Sequence, residues 1–167
     1  MTETSSGFAA IIGAPNAGKS TLVNALVGEK VSIVTHKVQT TRFQIRGIAM
    51  LGTAQVILVD TPGIFKAGDK DRLARSMVHA AWTGVDDSDA IVHVVDAPAY
   101  YRRKAGEGDA QDRLSHEDTQ RVMAGLKNRG NGKTYLALNK IDEIERDKLL
   151  DLIAEFNAAE IYAEVFL

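Results

Sequence analysis

The chain has no cysteine in its 167 residues. That excludes a disulfide framework, a thiolate metal site and a cysteine nucleophile. It also lacks any apolar run near the roughly 18 residues needed to cross a bilayer. The polar, acidic opening MTETSSGF has no basic n-region of the kind a secretory signal carries. An excess of one charge is missing too: 20 Lys and Arg face 22 Asp and Glu, a net charge of -2. Such a balance argues against a chain whose main task is coating nucleic acid. With 45% hydrophobic and 25% charged residues, the composition is that of a soluble globular chain of about one domain.

Hydrophobic patterning supplies the element order. Residues 8–12 form a short apolar run that stops at Gly13 and read as a buried strand. Residues 20–27 place Leu22, Ala25 and Leu26 at helical spacing, with Gly28 as a stop. Residues 29–42 read as a loop. Residues 43–51 and 55–59 read as two strands of a hairpin turning at Gly52. Residues 66–84 read as an amphipathic helix with Leu73, Met77, Ala80 and Ala81 on its apolar stripe.

Further strands are expected at residues 90–95, 135–138 and 163–167, and helices at 115–127, capped by Ser115, and 148–156. The polar stretch 100–113 reads as an exposed, poorly ordered loop. Its Tyr100, Tyr101, Arg102, Arg103 and Lys104 are alternatively a patch for stacking and phosphate contact. Alternation of strand and helix predicts a mostly parallel sheet with helices on both faces, which binds ligands at the carboxyl ends of its strands.

Three motifs fall at those strand ends, and a fourth lies in a loop. GAPNAGKS, residues 13–20, matches the phosphate-binding loop G-x-x-x-x-G-K-[ST]. Its glycines let successive N–H groups turn toward a phosphate, and the following helix adds its positive dipole end. Lys19 would bridge the β- and γ-phosphates and the Ser20 hydroxyl would bind Mg²⁺. DTPG, residues 60–63, follows a strand. Asp60 suits the second Mg²⁺ contact and the Gly63 N–H suits a γ-phosphate. Taken alone, DTPG is equally a Pro-Gly turn.

NKID, residues 139–142, offers the Asp142 carboxylate to the ring N–H and amino group of guanine. Adenine lacks both donors there, and two hydrogen bonds to a charged group are worth about 3–6 kcal/mol. Alone, this motif is also an ordinary surface turn. Thr40 and Thr41 lie in the loop after the first helix, where Thr41 could complete a Mg²⁺ shell.

Together GAPNAGKSTLVNAL, QTTR, DTPGI and NKID resemble the bacterial Era GTPases. Neighbouring ribosome-assembly and tRNA-modification GTPases are the alternative, but these carry an acidic residue where this chain has Phe43. The resemblance implies a Ras-like P-loop GTPase fold with a mostly parallel six-stranded sheet. It implies GTP or GDP with Mg²⁺ as ligands, and a role in 30S assembly and small-subunit rRNA maturation. The RNA-binding KH domain of the family is not in this sequence. The expected organisation is a flexible leader at 1–6 and a GTP-binding domain at 7–167, incomplete because a Ser-Ala guanine motif is still to come.

The resemblance assigns nucleotide contacts to Gly13, Ala14, Pro15, Asn16, Ala17, Gly18, Lys19, Ser20 and Thr21. It adds Asp60, Thr61, Pro62, Gly63 and Ile64, and then Asn139, Lys140 and Asp142. Mg²⁺ falls to Ser20, Thr41 and Asp60, and the chemical step to Lys19, Thr41, Gly63 and Asn16. Asn16 stands where related proteins hold an activating K⁺. Ile64 stands where many switch GTPases have a water-orienting Gln, so slow intrinsic turnover is expected.

A cytoplasmic location follows, with peripheral membrane association compatible with the family. A guanine-nucleotide module with negligible hydrolysis is a second reading, and a P-loop ATPase or kinase a third. Lys66, Lys70, Arg72 and Arg75 read as a solvated face or a moving switch surface. His36, His79 and His116 have no ligand spacing, and His93 reads as a core residue. The base-pairing argument predicts that Asp142→Asn shifts preference from guanine to xanthine nucleotides. Competition binding checks this, and a wild-type chain that holds ATP as tightly as GTP would contradict it.

Overall fold

The computed structural model describes residues 5–28, 45–68, 71–129 and 133–167. Six strands form one sheet in the order β2-β3-β1-β4-β5-β6. They are β1 (Ser5–Ile12), β2 (Ile45–Leu51), β3 (Ala54–Asp60), β4 (Ala90–Asp96), β5 (Thr134–Asn139) and β6 (Glu164–Phe166). All pairs are parallel except β2 with β3, the hairpin, where Gly52 takes φ +62°. Ser5 and Ser6, expected in the leader, instead pair with Ala54 and Gln55 at the start of β1. The chain therefore enters the sheet earlier than its apolar run does.

The helices are α1 (Lys19–Gly28), α2 (Arg72–Asp86), α3 (Ala97–Lys104), α4 (Ala110–Arg129) and α5 (Arg146–Ala158). Central strands alternate their burial between the two faces. On one face Ala9 and Ile11 of β1 and Val94 of β4 pack with Ala17 and with Val23 of α1. On the other, Ala10, Ile12 and Ile91 meet Ala81 and Val85 of α2 and Val122 and Leu126 of α4. Farther along that face, Leu136 and Leu138 of β5 pack against Tyr100 of α3 and Leu149, Leu152 and Phe156 of α5. His93 is fully buried here, 2.8 Å from the Tyr162 hydroxyl through Nδ1. Burial, reinforced by the Lys19 charge, pushes its pKa down to about 3, so it is a neutral core side chain.

Three expectations are corrected. The stretch 100–113 is not an exposed loop: it holds the end of α3, a short turn and the start of α4. Asp96 caps α3 by accepting the Ala99 N–H at 3.0 Å, and Pro98 sits in its first turn, where no N–H is needed. Tyr100 is fully buried, with its ring against Phe156 and its hydroxyl donating to Glu155 at 3.0 Å. It is thus unavailable for base stacking, although Arg102, Arg103 and Lys104 still occupy the last turn.

Second, α4 starts five residues before the expected cap. Asp109 takes that role, accepting N–H groups of Gln111 and Asp112 at 2.8 and 2.9 Å, while Ser115 is buried inside the helix. Third, α2 starts at Arg72 rather than 66, with Asp71 as its cap, and its buried face is Ala74, Ala81, Gly84 and Val85. Leu73 and Met77 are 72% and 39% exposed. The small residues let the helix lie close to the sheet, and the bulky ones are turned about one position away. The loop expected at 29–42 falls outside the described residues, and so does Lys70.

Candidate functional site

Because β1, β3, β4 and β5 run parallel, their carboxyl ends open on one edge of the sheet, and the phosphate loop, DTPG and NKID begin there. The turn from β1 to α1 is packed tightly enough to need glycine. A Cβ on Gly13 would lie 2.3 Å from the Val94 carbonyl oxygen. Ala14 and Ala17 are buried beneath the loop, Pro15 and Gly18 are half-buried, and Asn16 stands exposed at φ +62°. Lys19 curls back over the loop and is itself buried. Its ammonium donates to the carbonyls of Gly13 at 3.2 Å and Ala14 at 2.7 Å. Burial lowers its pKa, and the nearby Asp60 charge opposes the shift. Ser20 and Thr21 are exposed in the first turn of α1.

At the end of β3, Asp60 is buried beside this lysine. Thr61 donates its hydroxyl to the Ile11 carbonyl at 2.8 Å, tying the DTPG segment to β1. Pro62 and Gly63 are half-buried, and Gly63 lies against Pro15, where an added Cβ would stand 3.0 Å from the ring. Ile64 donates its backbone N–H to the Gly13 carbonyl at 3.1 Å. Its side chain is fully buried among Ala10, Ile12, Ala81 and Val122. Ile64 therefore contributes a strut between the two loops, and its side chain faces the core rather than a nucleotide. Beyond it, Asp118 of α4 accepts the Lys66 N–H at 3.2 Å and pairs with Arg121 at 2.8 Å.

At the end of β5, the Asn139 side-chain amide donates to the Ala17 carbonyl at 2.9 Å. Gly18 at φ +98° makes this possible, since a Cβ there would fall 2.0 Å from the Asn139 nitrogen. Lys140 adopts the left-handed conformation at φ 60° and ψ 36°, and its ammonium meets Asp96 at 2.5 Å. Asp142 is exposed in the 3₁₀ turn Ile141–Glu143. Thr41, with Gln39, Thr40, Arg42 and Phe43, lies outside the described residues.

The donor set fits a phosphate with Mg²⁺: a buried ammonium and carboxylate side by side, an exposed serine hydroxyl at a helix start, and a turn whose Gly13 and Gly18 leave no room for a Cβ against Val94 and Asn139. Ser20 and Asp60 are the described residues that would hold the ion. Sequence reasoning missed Asp96 and the contact that Asp118 makes with the segment after DTPG. The D-A-P sequence at 96–98 is a helix-cap signal that could have found Asp96. Asp118 reads in the sequence as the capping-box partner of Ser115; its bond to the Lys66 N–H, 52 residues away, has no local signal.

A family model described as "50S ribosome-binding GTPase" matches residues 8–140. The chain belongs to this GTPase family. GTPase Era of Maricaulis maris is 55% identical over 161 residues, covering 96% of this chain and 50% of that protein. GTPase Era of Caulobacter vibrioides is 52% identical over 171 aligned positions, covering all of this chain and 53% of that protein. The chain thus spans about half the length of the curated relatives it matches.

The fold is similar to a crystal structure of Era in complex with MgGDPNP and a segment of 16S ribosomal RNA. The TM-score is 0.73 at 32% identity, over 98% of this chain and 51% of that one. It is similar also to a variant of Aquifex aeolicus Era bound to GDP·AlF4⁻, with a TM-score of 0.71 at 32% identity over 96% of this chain and 50% of that one. The six-stranded, mostly parallel sheet is the Ras-like P-loop GTPase fold.

The buried Ile64 makes a prediction about this family's missing glutamine. Ile64→Gln should not speed GTP hydrolysis. It should cost about 3 kcal/mol, because it buries an amide in an apolar cluster, and lower Tm by about 5–10 °C in a thermal melt. Faster single-turnover hydrolysis at unchanged Tm would contradict the burial.

Proposed function

We propose that this chain is the GTP-binding and GTP-hydrolysing switch of an Era-type protein acting in 30S subunit assembly and small-subunit rRNA maturation. The observation that carries the reading is the meeting of three strand-end loops. The phosphate loop, DTPG and NKID are tied together by the Thr61–Ile11, Ile64–Gly13 and Asn139–Ala17 hydrogen bonds. The Era relative complexed with MgGDPNP and 16S rRNA supports nucleotide, Mg²⁺ and small-subunit rRNA as ligands of the longer protein.

In this reading Asp142 recognises guanine, while Asn139 and Lys140 frame the base. Residues 13–21 wrap the phosphates with backbone N–H groups. Lys19, now bound to the Gly13 and Ala14 carbonyls, turns its ammonium to the β- and γ-phosphates. That exchange is favourable because a buried ammonium gains a charged partner in place of neutral carbonyls. Ser20 and Asp60, with Thr41, would hold Mg²⁺, which would supply neutralisation of phosphate charge. Gly63 presents its N–H to the γ-phosphate. Its place is set by Thr61 on one side and Ile64 on the other, so γ-phosphate contact can pull on the segment leading to α2.

No glutamine follows DTPG, and Ile64 is committed to the core. Charge stabilisation must come from elsewhere, and Asn16 is the exposed loop residue at the position to hold K⁺ beside the phosphates. Slow hydrolysis in its absence suits a switch whose timing is set by a partner. A binding module with negligible hydrolysis is the reading that the buried Ile64 would otherwise favour. No described helix is long and apolar enough to cross a membrane. We place the protein in the cytoplasm, with peripheral contact to the inner membrane as a further proposal for the longer protein.

Single-turnover phosphate release tests hydrolysis and its cation dependence together. The rate in K⁺ should exceed that in Na⁺ by about tenfold or more, and Asn16→Ala should remove the difference. Equal rates in both salts would overturn the K⁺ role, and no release in either would leave the binding-module reading.

A further inference from the structure

Asp96 stands between the two halves of the site without belonging to any of its motifs. It ends β4, directly opposite Asn139 in the β4–β5 register. It is buried, and its two carboxylate oxygens serve different elements. Oδ1 accepts the Ala99 N–H at 3.0 Å and caps α3, and Oδ2 meets the Lys140 ammonium at 2.5 Å. Helix α3 is itself fixed. Arg102 grips Asp112 of α4 with two hydrogen bonds of 2.8 Å, so the cap is mounted on an anchored helix.

Lys140 needs such a partner. Its left-handed backbone, φ 60° and ψ 36°, is one that a residue with a Cβ adopts only under strain. That conformation makes the bend between Asn139, which is tied to the phosphate loop, and the turn that carries Asp142. Within the described residues the ion pair with Asp96 is the side-chain contact that holds it.

We propose that Asp96 is a positioning residue for guanine recognition: by holding the Lys140 ammonium it fixes the bend that aims the Asp142 carboxylate at the base. This rests on the guanine-nucleotide reading given above. A purely structural role as the cap of α3 would leave base discrimination untouched, and the two are separable by chemistry. Asparagine keeps the cap but removes the charge that binds Lys140.

The test is titration calorimetry of GDP, IDP and ADP with the full chain and with Asp96→Asn, alongside thermal melts without nucleotide. IDP lacks the exocyclic amino group that a well-aimed Asp142 would accept. In Asp96→Asn the GDP-to-IDP affinity ratio should fall about tenfold, the worth of one hydrogen bond to a charged group, with the melt close to wild type. Asp96→Ser, which also keeps a capping oxygen, repeats the test should the asparagine variant fail to fold. In Asp96→Asn with Lys140→Met, the ratio should equal that of Lys140→Met alone. A wild-type ratio in the capped variants, or additive losses in the double variant, overturns the role of Asp96. Equal affinity of the wild-type chain for GDP and ADP overturns the guanine reading itself.

Discussion

One hydrogen bond joins the part of the site that would hold a base to the part that would hold phosphates. The Asn139 amide reaches the Ala17 carbonyl at 2.9 Å, across 122 residues of sequence. The approach is so close that Gly18 has no room for a Cβ, and its backbone lies in the glycine-favouring region at φ +98°. If that contact loosens, the NKID turn is held by the Lys140–Asp96 ion pair and its own strand, and Asp142 loses its fixed distance from the phosphate loop. Preorganised distance is what lets one carboxylate discriminate between bases.

The same economy recurs at the other junctions. Gly13 sits on the Val94 carbonyl, joining the loop to β4, and its own carbonyl receives both the Lys19 ammonium and the Ile64 N–H. Thr61 spans from DTPG to β1. Parallel pairing brings these strand ends to one edge, and the motif side chains of Lys19, Thr61 and Asn139 donate to backbone carbonyls there. The motifs therefore act twice, as ligand groups in the proposed reaction and as the closure of the sheet's edge.

The strands and motif loops were legible in the sequence because each is local. A β-branched run such as AIVHVVD ending in Asp, or glycines at set offsets before Lys-Ser, encodes its conformation within a few residues. What was misread depends on partners distant in sequence. Tyr100 reads as exposed beside Arg102 and Arg103, yet it is buried because α5 brings Phe156 and Glu155 to it. The apolar stripe expected on α2, Leu73, Met77, Ala80 and Ala81, holds for Ala81, while Leu73 and Met77 are exposed. The sheet surface instead accepts Ala74, Ala81 and Gly84, because close packing favours small side chains at that contact. Ile64 stands where many switch GTPases have a water-orienting Gln, and that its side chain lies in the core depends on α2 and α4, distant in sequence.

Titration of GDP into wild-type chain and Asn139→Ala, with melts of both nucleotide-free proteins, tests the central dependence most directly. Loss of the bond to Ala17 should weaken GDP by about 10- to 100-fold while the sheet still melts cooperatively near the wild-type temperature. Unchanged GDP affinity in Asn139→Ala would contradict the account, because the base and phosphate loops would then hold their spacing without the bond.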